Sequence, residues 1–152
     1  MLDTSKPTDQ VMVSELPAYI RADRMTINAL EAENNVTTTN LSVSTGQTSL
    51  VVGVGVSDAL IETVFISGIG AAVIDQIRGG IDGQVKIFIF QSSVVGFKDG
   101  PKTLGQIYLN QLPVLSTFSA QQDDVLVLVN KGGNGSTEYG YWKEIWRQLS
   151  VK

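Results

Sequence analysis

Two segments in the second half of the chain read as β-strands that are apolar on both faces. In Val85-Lys86-Ile87-Phe88-Ile89-Phe90 one face carries Val85, Ile87 and Ile89, and the other carries Phe88 and Phe90. In Val125-Leu126-Val127-Leu128-Val129 neither face is polar. A strand in a solitary two-layer sandwich is covered on one side only, so its residues alternate between apolar and polar. A chain of 152 residues has little material left for a second cover once one core is closed. The segments therefore predict an oligomer in which copies of the chain shield one another.

Composition removes most chemistry. The chain has no cysteine and no histidine, so disulfides, thiolate metal sites and the commonest general base are absent. The formal charge is −4 with lysine and arginine sparse, which argues against a nucleic-acid footprint. No apolar run is long enough for a membrane span, and the polar start, Met1 to Gln10, does not read as a secretory signal. No cofactor is expected. Asn-x-Ser/Thr sequons at Asn35, Asn40 and Asn134 read as chance in a chain rich in these residues.

Residues 1–13 read as an extended arm with Pro7 and a small apolar cluster at Val11, Met12 and Val13. A helix is predicted over 14–34. Ser14 is its cap, Glu15 suits the positive helix end, and Pro17 is tolerated in the first turn. Leu16, Ile20, Ile27 and Leu30 form one apolar stripe. The same stripe can be phased as a heptad seam containing Asp23 and Asn34. Packing on the β-domain or on a partner, a short trimeric coiled coil, and an exposed helix all remain open.

Residues 36–152 are predicted to hold strands only, punctuated by turn residues such as Thr45-Gly46, Asp82-Gly83, Asp99-Gly100 and Asn134-Gly135. That rhythm predicts an antiparallel β-sandwich or a jelly-roll-like head. Gly53-Val54-Gly55 and Gly68-Ile69-Gly70 lack the third glycine and following helix of a dinucleotide fingerprint, so they read as turns or bulges. Asp82, Asp99, Asp123 and Asp124 are the carboxylates that could bind a hard cation, but nothing in the sequence gathers them. No catalytic residue and no metal ligand is assigned. Tyr139, Tyr141, Trp142 and Trp146 form the densest aromatic group. Alternation puts Trp142, Glu144 and Trp146 on one side and Tyr139, Tyr141 and Ile145 on the other. Buried in core or interface, Glu144 and Arg147 would need each other or a neighbouring subunit. Phe88, Phe90, Tyr141, Trp142, Glu144, Trp146 and Arg147 are the candidates for core or trimer interface.

The C-terminal half resembles a domain of tailed-bacteriophage virion proteins. The residues that carry the resemblance are Gly83-Gln84 before Val85–Phe90, then Phe97-Lys98-Asp99-Gly100 and Gly105-Gln106-Ile107-Tyr108-Leu109. It continues through Asp123-Asp124 and Val125–Val129 to Tyr141-Trp142-Lys143-Glu144-Ile145-Trp146-Arg147. The segments Pro7–Asp9, Val13–Arg21 and Arg24–Leu30 resemble the leading part of short phage structural proteins. The resemblance implies a homotrimeric β-structure bound to phage coat or other virion proteins, on the capsid surface as a decoration protein or short head fibre. A tail-fibre adaptor or receptor-binding component is the alternative, with the Lys131–Thr137 loop as the place where a host glycan would bind. The long β-helix with paired acids found in tailspike depolymerases has no counterpart here, so an enzymatic role is not expected.

Overall fold

The computed structural model describes residues 36–110 and 116–150. The arm residues Pro7, Val11, Met12 and Val13 and the stripe Leu16, Ile20, Ile27 and Leu30 lie outside the described residues.

The described chain is mainly β, in twelve strands: β1 Val36–Val43, β2 Ser49–Val52, β3 Gly55–Val56, β4 Ile61–Gly68, β5 Ala72–Ile74, β6 Gln76–Arg78, β7 Val85–Phe90, β8 Val95–Lys98, β9 Ile107–Tyr108, β10 Thr117–Ser119, β11 Val125–Gly133 and β12 Tyr139–Gln148. They form one six-stranded sheet, ordered β1-β4-β7-β11-β12-β9, and two three-stranded sheets, β10-β8-β5 and β3-β2-β6.

The expectation of antiparallel pairing is corrected. β1, β4 and β7 run parallel, with Val36 beside Ile61 and Ile61 beside Val85. The pairs β2–β6 and β5–β8 are parallel as well. The cause is the course of the chain after each turn. The Thr45-Gly46 turn passes it from β1 into a small sheet, and Gly68-Ile69-Gly70 does the same after β4. It re-enters the large sheet only after crossing the small ones, so it arrives in its original direction. Turn residues dictate a bend but not the partner of the next strand, and a strand that returns through another layer pairs in parallel. Only the last long strands, β11 and β12, make an antiparallel hairpin, and β11 is also antiparallel to β7.

One core joins all three sheets. The inward residues of the large sheet, Val64, Ile66, Phe88, Phe90, Leu126, Leu128 and Trp142, cluster with Leu50 and Ile77 from one small sheet and Ile74, Val95, Phe97 and Phe118 from the other. Phe97 stands edge-on to Phe88 at 4.8 Å and to Phe90 at 5.5 Å, the favoured geometry for aromatic pairs. The Trp142 indole N–H donates to the Ile77 carbonyl at 2.9 Å, tying the large sheet to β6. Trp142→Phe leaves that buried carbonyl without its donor and is expected to cost about 1–3 kcal/mol. Urea unfolding of the two proteins measures the difference.

Candidate functional site

The candidate site is the second face of the six-stranded sheet. In β7 and β11 the alternation is strict: Phe88, Phe90, Leu126 and Leu128 are buried, while Ile87, Ile89, Val125 and Val127 are half-buried. Registration sets the half-buried residues side by side. Thr63, Ile87, Val127 and Trp146 make one row across four strands, and Phe65, Ile89 and Val125 make the next. Ile61, Val85 and Val129 complete a third row. None of these residues joins the core cluster. The strands of the two small sheets send their buried side chains to the opposite face of the large sheet. Among the described residues, therefore, this face has no second layer. Singly exposed apolar residues are ordinary on protein surfaces, but a contiguous apolar patch marks a contact surface.

The aromatic group divides between the two faces. A bulge in β12 separates the Leu128–Glu144 pair from the Val127–Trp146 pair, leaving Ile145 as the extra residue. A bulge reverses the alternation beyond it. Trp142 and Glu144 consequently point into the core, whereas Trp146 is 53% exposed on the outer face. The expectation that Trp146 shares a side with Trp142 and Glu144 is corrected by that one residue. Tyr141 is half-buried opposite Lys131. Phe88, Phe90 and Trp142 belong to the core.

Glu144 and Arg147 do pair with each other. The guanidinium donates from Nε to Oε2 at 2.7 Å and from Nη2 to Oε1 at 2.9 Å. The Asn110 backbone N–H donates to Oε1 of the same carboxylate at 3.0 Å, and the guanidinium lies 4.5 Å from the Phe118 ring centroid. With its oxygens engaged this way, Glu144 tolerates near-complete burial.

A second buried ion pair escaped the sequence reading. Glu62 and Lys86 stand side by side in β4 and β7, both with fully buried side chains. Lys86 Nζ donates to Glu62 Oε1 at 2.5 Å and to the Ser57 carbonyl at 2.9 Å. The other carboxylate oxygen accepts from the Ser57 N–H at 2.7 Å and from the Thr39 hydroxyl. Burial holds the Lys86 ammonium below the ordinary lysine range, against the opposing pull of the Glu62 hydrogen bond and charge. The network fixes β1, β4 and β7 in register, because a slipped strand would bury either charge alone. The available sequence signal was a pair of opposite charges at inward positions of two otherwise apolar strands.

Three of the four carboxylates considered as cation ligands accept backbone hydrogen bonds. Asp82 accepts from the Gly132 N–H, Asp99 from the Leu109 N–H, and Asp124 from the Gln121 and Ser150 N–H groups. Among the described residues no group of three metal-ligating side chains comes together. Gly53 lies in the turn joining β2 to β3 and Gly55 opens β3, with φ of 91° and 89° that other residues rarely adopt. Among the described residues, no helix is long and apolar enough to cross a membrane. No protein family, curated protein or solved structure matches the chain.

Proposed function

We propose that the chain is a non-enzymatic structural protein of a tailed-bacteriophage virion, a homotrimeric capsid decoration protein or short head fibre. The observation that carries this reading is the apolar outer face of the six-stranded sheet. Ile87, Ile89, Val125, Val127 and Phe65 stand there in register, with no described residues layered over them. Leaving such a face in water forgoes roughly 25 cal/mol for each Å² of apolar surface that contact would bury. Copies of the same chain bring matching faces at matching concentration, and closed symmetric assembly is the usual outcome for identical subunits. The resemblance of the C-terminal half to phage virion domains selects three as the copy number. In this reading residues 1–13 lie along coat subunits, and the head adds binding free energy across neighbouring subunits of a shell under pressure from packed DNA.

Two measurements test it. Gold-labelled antibody raised against the chain is expected to decorate the capsid surface of the encoding phage; particles without label would remove the virion assignment, and label confined to the tail would move it to the fibre. Deleting residues 1–13 is expected to leave an assembled protein that no longer binds shells. Full occupancy by the truncated protein would refute the anchoring role of the arm.

A further inference from the structure

The six-stranded sheet has two ends, and the apolar outer face runs between them. At the first end stands β1, whose one strand partner among the described residues is β4. Its last carbonyl, on Val43, accepts from the Ile69 N–H at 3.0 Å. The rest of its far edge has no strand beside it among the described residues. Edge strands of proteins that stay single are kept short, or are guarded by charge, proline or a bulge. β1 has none of these guards. It is eight residues long, Val-Thr-Thr-Thr-Asn-Leu-Ser-Val, and pairs with β4 without a break in register. Five of the eight are β-branched, the residue type that best suits a strand.

At the other end, β9 pairs with β12 only at Trp142 and Lys143. Asn110 Nδ2 then donates to the Glu144 carbonyl at 2.6 Å. From the bulged Ile145 to Gln148, β12 has no strand on that side among the described residues. Ile145, Trp146 and Leu149 are exposed here, as are Val36 and Ile61 at the first end. The two ends also agree in direction. β1, β4 and β7 are parallel, and β11 is antiparallel to both β7 and β12, so β1 and β12 run the same way.

A three-fold ring joins two different patches of each copy, whereas a patch that meets itself makes a two-fold contact. β1 against the β1 of a second copy would therefore stop at two chains. β1 against the open end of β12 repeats around a ring with all strands in one direction, as a parallel ladder. The outer faces then turn toward the axis. Rows such as Thr38, Thr63, Ile87, Val127 and Trp146 meet end to end on adjacent copies.

We propose that in the trimer β1 of each copy pairs in parallel with Ile145–Gln148 of the next. The seam rests on the assembly proposed above and supplies its attachment: strand addition gives main-chain hydrogen bonds, and the outer faces give apolar contact.

The chain has no cysteine, so only introduced thiols react with a short bismaleimide. Thr38→Cys with Gln148→Cys, both at exposed positions, is expected to shift the denaturing-gel band from one chain mass to two and three. A second pair at exposed positions, Asn40→Cys with Leu149→Cys, is expected to do the same. Each single variant is expected to stay at one chain mass. Equivalent positions on neighbouring copies are separated by the width of a six-stranded sheet, roughly 24 Å at 4.8 Å per spacing. Native mass before linking shows that a variant is assembled. A three-copy parent whose assembled pairs remain unlinked overturns the seam and leaves the trimer standing, whereas a parent of one chain removes both. Single variants that link in twos overturn the seam as well, since like ends would then meet.

Discussion

Val127→Asp is expected to turn the assembled protein into separate, folded chains. Val127 lies in the middle row of the outer face, flanked by Ile87 and Trp146 and half-buried even within its own sheet. An aspartate there remains hydrated in an isolated copy, because the side chain points away from the core formed by Leu126 and Leu128. In an assembly that buries this face, each copy would place a carboxylate between Ile87 and Trp146, one pair removed from Lys143 opposite Val129. Burying an uncompensated charge costs about 3–5 kcal/mol, which is more than a hundredfold in association for each subunit. Sedimentation of the variant at micromolar concentration should show the mass of one chain, with the β spectrum retained. A variant that sediments with the parent's mass would mean that the outer face is not a contact surface.

The second large effect concerns the interior. Glu62→Leu removes one half of a pair whose side chains are both inaccessible to solvent. It strands the Lys86 ammonium with the Ser57 carbonyl as its remaining hydrogen-bond acceptor. Breaking a buried pair in this way costs about 3–5 kcal/mol, a large fraction of the 5–15 kcal/mol that holds a typical domain together. Glu62→Leu combined with Lys86→Met removes both charges. Replacing buried pairs by apolar residues of similar volume is often neutral, although here the Ser57 N–H and the Thr39 hydroxyl lose the carboxylate they donate to. The double variant should therefore recover much of the lost stability but not all of it. Guanidinium unfolding of the four proteins in the cycle gives the coupling. A double variant less stable than Glu62→Leu alone would show that the pair is not what stabilises the register of β4 and β7.

The strands themselves were written plainly in the sequence. Val85–Phe90 and Val125–Val129 each form the strand that their composition requires, and apart from the buried Lys86 both faces of each are apolar. Pairing was harder to read. Gly46 and Gly68 mark where the chain bends, but a bend can lead to a hairpin or to another layer, and no local residue tells the two apart. β10, Thr117–Ser119, was not anticipated because three residues with one apolar side chain leave no period to detect. The position of Trp146 turned on a single bulged residue, Ile145, and bulges in exposed strands carry no obligatory glycine to announce them. Glu62 and Lys86 were legible individually as charges in apolar strands. That they meet depends on a parallel register that only the folded chain supplies.

Native mass measurement of the purified protein at low micromolar concentration bears most directly on whether sister chains cover the valine and isoleucine rows. Three copies per particle are expected, falling to one in Val127→Asp. A parent protein that stays single, compact and cooperatively folded at that dilution would contradict the account.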